Sequence, residues 1–315
     1  MDYALSRLSD LPEDVGRIII EEAVSDRTPS SWKWALLSKK VKTWVEPVLY
    51  RHVLVDNKTT FAAFHSCVIR HPTKPRDFFA VHVKTLAIPR GWAHPPAQVL
   101  EVLKACKSVH TLLLRLLPNA EYAAGLHDAV SSLVPERLSI MIPTLRYHPP
   151  AVFRGLTHLE LMFGQPWATS WDWKELEAME SLTHLCVRGP GNVFRSVRES
   201  GVFLAGILPL VPRSVRVIVL WVRVASLRDA DELCGMDPRV IILETSGIPE
   251  YVDCAEGVVG PHVIFRGLVD LRKDWAYIPC KERDFWTQAE EKIEERRKRR
   301  VGESVRAPRT GAFLP

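Results

Sequence analysis

The sequence predicts an α/β protein in three parts: a short helical module, a long array of repeated strand-and-helix units, and a charged helix running into a basic tail. Three observations carry this. Residues 8–24, LSDLPEDVGRIIIEEAV, and 30–53, SSWKWALLSKKVKTWVEPVLYRHV, place apolar residues at helical spacing. A hexad of the form apolar-x-x-apolar-x-apolar then recurs eight times. After about residue 281 the composition turns to charge. The boundaries implied are 1–50, 51–280 and 281–315.

In the first segment Asp10 is suited to cap a helix, with Glu13 at the capping-box spacing and Pro12 in the first turn, where a missing N–H costs nothing. Leu11, Val15, Ile18 and Ile19 then fall on one face, with Ile20 beside it. That face is wide for so short a helix. The second segment starts at Ser30 or Ser31, carries Trp34, Leu37, Val41, Trp44 and Val45 on a stripe, and is expected to stop at Pro47. A unit of about 45 residues is near the lower limit for an independent core. It should lean on something else.

Leu11-Pro12, Asp14, Val15, Ile19, "ALLSKKV" and "PVLY" with Leu49-Tyr50 resemble the F-box in the form common among fungal F-box-like proteins, over about residues 8–53. The resemblance implies a small helical bundle that docks on the Skp-type adaptor of a cullin-RING ubiquitin ligase. Carried over by position, it makes Leu11, Pro12, Val15, Ile19 and Ile20 adaptor contacts, supported by Leu37 and Val41. Without the resemblance, the same helices read as a cap on a larger domain.

The hexads are YRHVLV, VKTLAI, VHTLLL, PERLSI, LTHLEL, LTHLCV, PRSVRV and DPRVII. Their middle anchors, Val53, Leu86, Leu112, Leu138, Leu159, Leu185, Val215 and Val240, are separated by steps of 33, 26, 26, 21, 26, 30 and 25 residues. Helical stretches such as PPAQVLEVLKAC, AEYAAGLHDAVSSL and WDWKELEAME lie between them. A unit of one strand and one helix cannot bury its own apolar face, so only a stack is stable. The array resembles irregular leucine-rich-repeat domains, which implies a solenoid. A mixed α/β sheet with right-handed crossovers is the competing arrangement.

Strand alternation places Arg115, Arg137, His158, Glu160, His184, Arg188, Arg216 and Arg239 beside the inward anchors, on what should be an exposed sheet face. The set is mostly basic. Guanidinium forks in a row would suit an acidic or phosphorylated target segment, although solvated polar positions read the same way. Trp167, Trp171 and Trp173 lie in the stretch between one strand and the next helix, as binding anchors or as packing over the repeat. His158 and His184 share a slot in two LTHL strands, with only Glu160 and Cys186 near in sequence. We therefore expect no metal site and no cofactor.

The six cysteines (67, 106, 186, 234, 254, 280) form no C-x-x-C pair and read as reduced thiols. No run nears the roughly 18 apolar residues of a membrane span, and MDYALSRLSD is too polar for a secretory leader. An intracellular protein, cytoplasmic or nuclear, is expected. The formal charge of +5 sits largely in the tail, which argues against dedicated nucleic-acid binding. There is no G-x-x-x-x-G-K-[ST], G-x-S-x-G or H-E-x-x-H, and no nucleophile–base pair stands out. The chain is therefore not expected to be an enzyme.

The stretch ERDFWTQAEEKIEERRKRR reads as a charged helix ending in five basic residues, Arg296–Arg300. That run suits a nuclear-import signal, an acidic contact or a solvated helix end, with disorder beyond it. Deleting residues 296–315 should then leave the fold intact. Taken together, the sequence points to the substrate-recognition adaptor of a cullin-RING ligase, with target recognition on the repeats. The alternative is an interaction scaffold without a ligase link.

Overall fold

The computed structural model describes residues 11–25, 30–70, 74–89, 93–116, 120–142, 148, 150–163, 171–189, 196–222, 226–244, 260–267, 274–275 and 283–306. The chain is α/β, and its residues group into two compact units. The first holds residues 1–156 and 272–281, the second 157–271 and 282–315. Among the described residues there are nine strands, and within each unit every strand runs parallel to the next in chain order.

The first unit begins with α1 (Glu13–Ser25), a 3-10 turn (Ser31–Leu36) and α2 (Lys39–Tyr50). Ser38 caps α2, its Oγ accepting from the Val41 N–H at 3.1 Å. Gly16, Ile20 and Val24, at i, i+4 and i+8, turn inward on α1, and the two apolar side chains meet Val41, Val45 and Val48 of α2. Pro47 does not stop α2, which runs on to Tyr50. The tyrosine ring meets Phe78 and Phe79 edge-on, at 5.6 and 5.3 Å, and its hydroxyl lies 3.2 Å from Cys67 Sγ. The helical module is therefore anchored by its last residue in the first repeat, as its size requires.

The strands β1 (His52–Leu54), β2 (Thr85–Ile88), β3 (Thr111–Leu114) and β4 (Arg137–Met141) come next, with α3 (Lys58–Ile69), α4 (Phe78–His82), α5 (Pro96–Ala105) and α6 (Ala120–Val130) between them. Val53, Leu86, Leu112 and Leu138 are in-register partners, as are Leu114 and Ile140 in the next row. All six are buried, each stabilising by about 1.5–3 kcal/mol relative to exposure.

The second unit holds β5 (His158–Met162), β6 (His184–Arg188), β7 (Val217–Trp221), β8 (Val240–Glu244) and β9 (Val263–Phe265), together with α7 (Val197–Ile207), α8 (Leu227–Gly235) and α9 (Phe285–Arg306). WDWKELEAME forms a 3-10 turn, Trp173–Ala178, rather than an α-helix. Seven of the eight hexads keep the expected phase. The seventh does not: Leu185 pairs with Ile218 and Val187 with Leu220, so the anchors are Val215, Ile218 and Leu220, and Val217 faces the opposite way, beside His184. The cause is local. Val217-Ile218-Val219-Leu220 is apolar at every position, so alternation carries no phase there.

Five junctions between successive repeats are fastened by one carbonyl that accepts two successive amides. Arg51 O takes the N–H groups of Lys84 and Thr85, Lys84 O those of His110 and Thr111, and His110 O those of Glu136 and Arg137. In the second unit Thr157 O takes Thr183 and His184, and Thr183 O takes Arg216 and Val217.

Candidate functional site

Two surfaces collect the residues that the sequence singled out. The first belongs to the helical module. Because α1 contains three successive isoleucines, packing one face leaves the other apolar as well. Val15 (39%), Ile18 (64%) and Ile19 (45%) remain exposed, and so do Trp32, Leu36 and Leu37 on the neighbouring segment. Pro12 is exposed and Leu11 half-buried. Ile20 is not part of this surface: it is fully buried and has nothing to offer a partner. Val41 is core too and can act only by supporting the helices from below. Lys40 pairs with Glu13 at 2.6 Å and Arg17 with Glu21, which leaves the rim of the patch charged.

The second surface is the sheet face opposite the anchors, where the expected exposed basic row is corrected. In the second unit α9 packs against β7, β8 and β9 on this face. Trp286 stands edge-on to His158 and His184, at 5.3 and 5.5 Å between ring centres. The two histidines stack in parallel at 4.0 Å, as their shared slot implied. Glu160 and His184 are buried. Arg188 lies over the Trp221 ring, and Arg239 folds back on Asp237, bonding both carboxylate oxygens at 2.8–3.0 Å and donating to Val215 O. Burial alone would raise the Asp237 carboxyl, but the hydrogen bonds and charge of Arg239 outweigh it and hold it below the usual range. Of this basic set in the second unit, Arg216 is the exposed one, its guanidinium 3.9 Å from Glu290. In the first unit Arg115 and Arg137 are half-buried, and Arg137 sits over Trp275 at 5.5 Å.

The tryptophans pack. Trp171 is buried and donates its Nε1–H to Glu175 at 2.9 Å, and Trp173 meets Trp171, Phe163 and Phe203. Trp167 lies outside the described residues. No group of three or more His, Cys, Asp or Glu among the described residues could hold a metal ion. No helix among them is long and apolar enough to cross a membrane.

Sequence reasoning missed the far end of α9. Arg296 is buried and donates to Pro238 O (3.1 Å), Val240 O (2.9 Å) and His262 Nδ1 (2.9 Å). Lys292 reaches Gly260 O at 3.4 Å, and burial lowers its ammonium below the ordinary range. From Trp286 to Arg296 a helix advances about 15 Å, the width of about three strand spacings, which carries α9 from the His158–His184 pair to the start of β8. A signal existed: Phe285, Trp286, Ala289, Ile293 and Arg296 form a stripe at helical spacing inside an otherwise charged run. Comparison with protein-family models, with curated proteins and with solved structures gives no match.

Proposed function

We propose that this chain is a non-catalytic substrate-recognition adaptor of a cullin-RING ubiquitin ligase of the SCF type, working in the cytoplasm or nucleus. The F-box-like helices dock on a Skp-type adaptor, and the repeats, arranged as an irregular leucine-rich-repeat solenoid, hold the target. One observation carries the reading. The helical module has a complete apolar core in Ile20, Val24, Val41, Val45 and Val48, yet keeps Val15, Ile18, Ile19, Leu36 and Leu37 in water. Exposed apolar residues gathered on one small module mark a surface that a partner covers. The resemblance in LPEDV and ALLSKKV supports a Skp-type adaptor as that partner.

Co-expression of the full chain with a Skp-type adaptor, followed by size-exclusion chromatography, tests this. Co-elution that is lost in the Ile19→Asp, Leu37→Asp double variant is expected. Separate elution of the wild-type chain and the adaptor overturns the ligase link and leaves an interaction scaffold.

A further inference from the structure

The geometry under α9 contains two histidines whose hydrogen bonds demand opposite protonation states. The Thr183 hydroxyl donates to Thr157 O at 3.0 Å, so its oxygen is left to accept from His184 Nδ1–H at 2.8 Å. His184 Nε2 then faces Glu290 Oε1 at 3.1 Å, a contact that is attractive only with a second proton on the ring. A neutral ring has one proton. It must give up Thr183 or Glu290, or turn the Thr183 hydroxyl away from Thr157. The imidazolium satisfies all three contacts, and the surrounding groups include Trp286 and Glu290 of α9, His158 and Glu160 of β5, and Arg216 ahead of β7.

At the other end of the helix the demand is reversed. Arg296 donates to His262 Nδ1 at 2.9 Å, so that nitrogen must be bare. Asp231 of α8 lies 3.6 Å from Nε2, and Arg296, Lys292 and Arg300 of α9 set the local positive field. Burial, and then Arg296, lower the imidazole below its ordinary range. Protonating His262 would place a cation against the guanidinium and detach it.

We propose that α9 is a proton-linked clasp, held on the sheet over a window of pH bounded above by loss of the His184 proton and below by protonation of His262. The signs are set by linkage. A group that must be protonated for docking stabilises at low pH and stops doing so as pH rises past its docked titration. A group that must be neutral stabilises at high pH and stops doing so as pH falls through its docked titration. Outside the window, release uncovers the row of His158, His184 and Val217.

Backbone hydrogen exchange of residues 285–296 in the full chain, from pH 5 to 9 and corrected for intrinsic chemistry, reads the opening of α9. The wild type is expected to open least near the middle of the range. Opening should increase about tenfold on either side for each unit by which docking shifts the histidine concerned. Glu290→Gln, whose amide can also donate to a neutral ring, should remove the alkaline rise alone. His262→Asn, whose amide oxygen can accept from Arg296, should remove the acid rise alone. A flat wild-type profile, or a limb that survives its own variant, overturns the proposal. So does a helix open at every pH in Glu290→Gln, since the carboxylate would then hold α9 whatever the charge on the ring.

Discussion

The guanidinium carbon of Arg188 lies 3.5 Å from the ring centre of Trp221, its in-register partner on the next strand. A planar cation stacked this closely is a structural element of the sheet. It shields an indole that is only 7% exposed. Arg188→Ala should therefore lower stability by about 1 kcal/mol in urea unfolding, and Arg188→Lys should recover little of it, because an ammonium cannot stack flat. An unchanged midpoint for Arg188→Ala would mean that the stack adds nothing to the stability of the sheet.

The helical module allows a direct contrast between neighbours. Ile19 is exposed and Ile20 is core, one residue apart on α1. Ile19→Asp should shift stability by no more than about 0.5 kcal/mol while abolishing adaptor capture. Ile20→Ala should cost about 2–5 kcal/mol by leaving a cavity among Val24, Val41 and Val45. Thermal melts and pull-downs of the two variants should separate surface from scaffold.

Much of the fold is legible in the residues. Hexads with one apolar and one polar face, such as PERLSI and LTHLEL, give strand, phase and neighbour, because a wrong phase would bury His or Arg among the anchors. The phase is lost where Val217–Leu220 is apolar throughout, and β9 (Val263–Phe265) escapes the pattern because the hexad's middle place, two residues before Val263, is Pro261. The opposite face differs from its expected exposure for another reason. Polar residues such as His158, His184 and Arg188 say that a face meets polar groups, and here those groups are supplied by residues distant in the chain, Glu290 above all. Alternation reports the chemistry of a face, not what lies over it.

Arg296 makes the C-terminal run anything but uniform. Arg296→Ala should cost about 2 kcal/mol or more, since it leaves Pro238 O and Val240 O without their charged donor. Arg297→Ala and Lys298→Ala, on the solvent side, should each stay within about 0.5 kcal/mol. Deletion of residues 296–315 should lower the melting temperature, against the separable tail expected from sequence. Differential scanning calorimetry of the deletion decides it.

The thiols should react unevenly. Burial pushes Cys106 and Cys234 up to about 12, so almost none of either is thiolate near pH 8. Cys67, half-buried beside Tyr50, is more accessible. Brief iodoacetamide treatment of the native chain at pH 8, read by peptide mass mapping, should label Cys67 well ahead of Cys106 and Cys234. Equal labelling would mean that the α5 and α8 cores open on that timescale.

The repeated two-amide carbonyl bears on how the chain is made. Arg51, Lys84, His110, Thr157 and Thr183 each hold only the repeat that comes next, so each strand has its template waiting when it leaves the ribosome. The second face of the later strands must wait. α9 comes after Arg188 by about a hundred residues, which at about 5–20 residues per second is roughly 5–20 s of synthesis. During that interval the nascent chain presents His158, His184 and Val217 without Trp286 and Glu290, and a chaperone that recognises uncovered sheet surface has its opportunity then.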